Sequence, residues 1–195
     1  MPKLNTTTSG IITATLTADS SPTLDLQENG VTFRTLGQSQ LVSGVAVTAS
    51  GTSVDFPGIP SWAKRITVMF SGVSTNGTSP PQIQVGSGSF TTSGYLGSNT
   101  ISNSGSATVL FTAGFGIGVN TSNWNGSQIF SGAISLFLLS GNTWAAFGIN
   151  STSNSNNTYF TSGSIALSGI LDRVRITTAN GTDVFDAGTI NIMWE

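Results

Sequence analysis

Hydrophobic and polar residues alternate along most of this chain, and a period of two predicts β-strands rather than helices. In Arg65-Ile66-Thr67-Val68-Met69-Phe70, the side chains of Ile66, Val68 and Phe70 share one face, as do Ile190, Ile192 and Trp194 in the run from Thr189 to Trp194. Further strands are predicted at 45–48, 82–85, 108–111, 114–119, 133–139, 144–149, 159–162 and 171–177. Gly, Asn, Ser and Pro separate them at short intervals, as turn residues do. The only helical signal is a single turn at 59–63. Sequential strands without crossover helices cannot build a parallel sheet. The expected fold is therefore all-β, an antiparallel β-sandwich of jelly-roll-like type with about nine to eleven strands.

Residues 1–40 have a different pattern. Apolar residues are sparse there and Thr is frequent, so this stretch buries too little surface to fold alone. It reads as an extended N-terminal arm or attachment segment, or as a disordered tail where nothing ties it down, in front of a sandwich domain at 41–195. Fully extended, the arm would span roughly 130 Å. In Ile134-Ser135-Leu136-Phe137-Leu138-Leu139, Phe137 and Leu139 fall opposite Ile134, Leu136 and Leu138, so both faces are apolar. Phe137 and Leu139 are thus a candidate oligomer interface. The alternatives are cover by the arm or by the chain's own loops.

Composition narrows the function. Only 7% of residues are charged, so the surface polarity comes from 29 Ser, 28 Thr and 15 Asn. Six basic and eight acidic residues leave a net charge of −2, too weak a field to hold a nucleic acid backbone. His and Cys are absent, which removes the usual zinc sites, thiol nucleophiles, disulfides and His-based acid–base chemistry. The first eight residues lack the apolar stretch of a signal peptide, and no run approaches the ~20 apolar residues of a membrane span. Synthesis in a cytoplasm and no membrane insertion are expected.

Few residues offer chemistry. Asp183 and Asp186 stand three apart across an apparent turn, where carboxylates usually cap backbone amides; a glycosidase pair or a calcium loop is the weaker reading. Gly114-Phe115-Gly116-Ile117-Gly118 has no helix after it to cradle phosphate, so its glycines are expected to serve close packing. Arg173 and Arg175 share a strand face and are candidate contacts for an anionic sugar or a partner carboxylate. Among the aromatic residues, Trp124 and Tyr159 lie in Asn- and Ser-rich surroundings that suit stacking on a glycan, with Trp144 and Tyr95 as weaker candidates. No catalytic, metal or cofactor site is expected.

Two segments carry a resemblance. Gly51-Thr52-Ser53-Val54-Asp55-Phe56-Pro57-Gly58-Ile59-Pro60-Ser61-Trp62 and its continuation through Phe70 to Ser79 resemble the start of a module found in structural proteins of tailed bacteriophages and prophages. The run Leu167-Ser168-Gly169-Ile170-Leu171-Asp172-Arg173-Val174-Arg175, continuing through Asn180-Gly181-Thr182-Asp183 and Phe185-Asp186-Ala187-Gly188 to Ile192, resembles that module's closing signature. The resemblance implies a non-enzymatic β-sandwich on the virion exterior, with no catalytic residues and a variable middle region at about 90–160, where receptor contact would lie. The expected protein is a homotrimeric capsid decoration (cement) or short head-fibre subunit, made in the bacterial host and anchored by its arm to other capsid or tail proteins. The alternative is a tail-fibre or receptor-binding tip that recognises host surface carbohydrate.

Overall fold

The computed structural model describes residues 24–28, 31–36, 41–103, 105–119 and 124–195. The chain divides into two units, Met1–Gln40 and Leu41–Glu195. In the first, β1 (Leu24–Glu28) pairs antiparallel with β2 (Val31–Leu36). The remainder of the expected arm lies outside the described residues.

The second unit is all-β and antiparallel, with no helix among its described residues. Its strands are β3 (Val42–Ser43), β4 (Val47–Thr48), β5 (Ser53–Pro57), β6 (Arg65–Thr75), β7 (Pro81–Ser87), β8 (Ser89–Phe90) and β9 (Leu96–Ser102). After them come β10 (Ser106–Phe111), β11 (Phe115–Gly116), β12 (Phe130–Ser140), β13 (Thr143–Thr152), β14 (Thr158–Ala166), β15 (Arg173–Thr178) and β16 (Phe185–Trp194). The total exceeds the expected number because β3 and β8 are two-residue strands, too short to show a period, and because β5 and β9 form outside the segments predicted above. The helical signal at 59–63 is a turn, closed by Ala63 N–H donating to the Pro60 carbonyl at 3.0 Å.

Eight strands make the frame. One sheet has the order β4-β16-β6-β12 and the other β5-β15-β7-β11, and along these eight strands the chain crosses between the sheets at every step except from β7 to β11. This is the jelly-roll order, two interlocked Greek keys. The insertions β9–β10 and β13–β14 extend the first sheet beyond β12 as a wing with the order β13-β14-β9-β10.

One continuous core lies between the sheets. Ile66, Val68, Phe70, Ile134, Leu136, Ile190 and Ile192 from the larger sheet meet Val54, Phe56, Ile83, Val85, Val174 and Ile176 from the smaller. Fully burying each such side chain contributes about 1.5–3 kcal/mol. The alternation in β6 breaks between Phe70 and Val73, which both point inward. Opposite them, Gly132 and Phe130 of β12 are only two positions apart, so β6 carries an extra residue. Gly72 takes the positive φ of 64° that this bulge needs, and without it Val73 would face out.

Under the wing the core is partly polar. Asn99 of β9 and Thr161 of β14 both donate to the Gly116 carbonyl, at 2.7 and 2.6 Å, and Asn150 of β13 donates to the Ile117 carbonyl at 2.7 Å. These amides fasten the segment around β11 over the wing's inner face, where that segment's carbonyls would otherwise lack partners. The joint with the frame is made by Tyr95. Its buried hydroxyl accepts from Val85 N–H of β7 at 2.8 Å and donates to the Thr91 carbonyl at 3.0 Å, while its ring packs edge-on against Phe115.

Candidate functional site

Each residue singled out by sequence has a definite place. Trp124 and Tyr159, expected to stack on a glycan, are 3% and 0% exposed. Trp124 packs between Phe130 and Tyr159, with ring centroids 5.7 and 5.9 Å away. The Tyr159 hydroxyl donates to the Gln128 amide oxygen at 3.0 Å, and burial raises its pKa. A sugar ring has no access to either, which corrects that expectation: the polar neighbours of Trp124 flank a side chain turned into the core. Trp144 and Tyr95 are likewise buried.

The glycine run explains part of this. A Cβ at Gly116 would stand 2.2 Å from the Phe111 ring, and one at Gly118 would stand 2.3 Å from the Trp124 ring. Gly114 meets the Gln82 side chain and the Ile83 carbonyl in the same way. The run is therefore a close-packing device, as its lack of a following helix predicts.

Arg173 and Arg175 do share the outer face of the smaller sheet, and both are engaged there. Arg175 makes a two-pronged pair with Asp55, 2.7 Å on each prong, and lies 4.0 Å above the Phe90 ring. Arg173 bonds Asp172 at 2.7 and 3.1 Å, and its guanidinium is 5.7 Å from the same ring. The hydrogen bonds from Arg173 hold the Asp172 carboxyl below its ordinary pKa. Phe90 reaches this face because Gly88, at φ 71°, folds β8 back along β7.

The carboxylates close a turn. Asp183 accepts from Ser79 N–H at 2.8 Å and from the Asn180 amide at 2.7 Å, while Asp186 accepts from the Ser74 hydroxyl. Asn76 adds a bond to Val184 N–H at 2.9 Å. These contacts tie the β6–β7 connection to the β15–β16 connection. Among the described residues, no group of three or more His, Cys, Asp or Glu is placed to hold a metal. A depression of about 200 Å³ lined by Ser61, Lys64, Leu138, Asn142 and Trp144 is smaller than the roughly 300–1,000 Å³ of ordinary ligand pockets.

The remaining candidates, Phe137 and Leu139, are exposed on the outer face of the larger sheet while Leu136 opposite them is fully buried. They have company that sequence reading missed: Phe147 and Ile149 of β13 and Phe160 of β14 face outward on the same side. The signal was available in 144–149, where Trp144 and Ala146 alternate with Phe147 and Ile149 as two apolar faces of one strand. Comparison of the chain with family models, with curated proteins and with solved structures finds no match.

Proposed function

We propose that this chain is a non-enzymatic structural protein of a tailed-phage virion exterior, a homotrimeric capsid decoration or short head-fibre subunit attached through residues 1–40. One observation carries the reading beyond the resemblance itself. The opening segment supplies β5 and β6, the closing segment supplies β15 and β16, and these strands are direct neighbours, β5 beside β15 in one sheet and β6 beside β16 in the other. The two stretches that resemble the phage module thus form one contiguous half of the frame. The middle region, whose counterpart in the module varies, includes the wing. Decoration would work by additive contact, with the first unit adding strands to neighbouring subunits.

The rival reading, a tail-fibre tip for host glycan, loses Trp124 and Tyr159 as stacking platforms and has Arg173 and Arg175 already paired. The test is incorporation: the full chain and a chain lacking residues 1–36 are expressed in cells producing the particles. The full chain is expected to sediment with particles. The shortened one is expected to keep its β-type circular dichroism and stay in the soluble fraction. Equal incorporation of both, or of neither, defeats the proposal.

A further inference from the structure

The outer face of the wing is apolar, neutral and open. Phe147 is 59% exposed, Ile149 45% and Phe160 44%, with Leu96 at 74% and Leu110 at 78% on the same side, and Phe137 of the adjoining frame strand β12 continues the face at 41%. Strand register makes them neighbours: Ile149 stands beside Phe160, and the row through Phe147 runs across Ser162 and Ser98 to Leu110. No charged residue occurs anywhere between Arg65 and Asp172, so the wing and β12 carry no charge with which to repel a partner, and Arg65 of β6, which stands beside Phe137, is paired with Glu195 at 3.0 Å.

We propose that this face is buried against a second copy of the same chain. Two features of the face select that occupant. The six apolar side chains expose on the order of 600 Å² at these fractions, and the Ser and Thr rows between them bring the face near the roughly 800 Å² per partner that a stable complex buries. A neutral face also meets its own copy without like-charge repulsion, whereas the chain's first forty residues carry Lys3, Asp19, Asp25, Glu28 and Arg34. The inference stands on the face alone and does not depend on the virion reading.

The absence of cysteine makes a direct test possible. In full-length Ser162→Cys the single thiol sits beside Phe147 on this face. Light scattering is expected to give two or three times the 20.0 kDa chain mass. Maleimide labelling is expected to run about tenfold slower than in the same chain carrying Phe147→Thr and Phe160→Thr, which should be monomeric with unchanged circular dichroism. Should that pair of changes prevent folding, Ile149→Thr replaces it. A monomer from low to high micromolar concentration overturns the proposal, as does an oligomer whose thiol labels at the free rate. A protected thiol in a monomer also overturns it, and assigns the cover to the chain's own first forty residues. A dimer supports the surface while removing the trimer from the proposed function, so the two readings fail separately.

Discussion

The frame and the wing solve the same problem with different materials. Every charged residue of the second unit lies in the frame or its connections, and on the smaller sheet's outer face the charges are paired with one another: Asp55 with Arg175, Asp172 with Arg173, both beneath Phe90. The wing has none. It uses buried amides to hold its inner face and leaves phenylalanines on its outer one. A face whose charges are satisfied internally is finished as a surface, whereas a neutral apolar face stays in water at a cost of about 25 cal/mol per Å². The contrast therefore locates where the molecule has still to meet something.

The largest expected effect separates the two faces of a single strand. Leu136→Ala removes a fully buried side chain between the sheets and should cost about 2–5 kcal/mol in urea unfolding. Phe137→Ala, one residue on and outward, should cost the monomer under about 1 kcal/mol. Similar losses for both in a monomeric background would mean that the outer face is covered by the chain itself.

Next in size is the response to alkali, which acts on the wing's attachment. Burial, the dominant cause, raises the Tyr95 pKa to about 12, against a lowering contribution from its bond to Val85, and Tyr159 is raised in the same direction. A folded-state pKa above the unfolded 10.0 means that the stabilisation is whole below pH 10 and is lost as pH climbs toward 12. The loss should be on the order of 2 kcal/mol for Tyr95. The chain has only two tyrosines, so tyrosinate absorbance reads these sites alone. Absorbance rising at pH 10 with native circular dichroism retained would contradict the assignment.

The smallest effect belongs to the frame's charges. The Arg175–Asp55 pair is about one-third exposed, and a double-mutant cycle with Arg175→Gln and Asp55→Asn should return a coupling of roughly 0.2–1 kcal/mol that shrinks in salt. Outer-face variants of the wing should show no such salt response. A coupling unchanged by salt would indicate a pair more enclosed than its geometry implies.

The sandwich was legible because Ile66, Val68 and Phe70, like Ile190 and Ile192, keep a strict period of two. Where inward positions are not apolar, the pattern disappears. β9 presents Gly97, Asn99 and Ile101 to the interior, and nothing in Leu-Gly-Ser-Asn-Thr-Ile-Ser announces that Asn99 will be buried against the Gly116 carbonyl. Trp124 misleads for the converse reason, because its neighbours Asn125 and Gly126 are turn residues while its ring is core. The capping role of Asp183 was readable in kind and its bond from the Asn180 amide is local, but the backbone amide it accepts from, that of Ser79, comes from a distant connection. The partners of Arg175 were not, since Asp55 lies far away in sequence and is brought beside it only by the pairing of β15 with β5.

Strand β16 has a consequence for how the molecule is made. It lies between β6 and the pair β3 and β4, so closing the larger sheet requires it to pair with strands more than a hundred residues before it in sequence. Until it docks, β6 has one bare edge and the uncharged stretch from Ile66 to Leu171 has no like-charge repulsion to keep it from other chains. Long-range closure of this kind makes folding slow and leaves unpaired strands exposed to aggregation while it waits. β16 is accordingly the latch of the frame, and the uncharged strands stay exposed to one another until it closes.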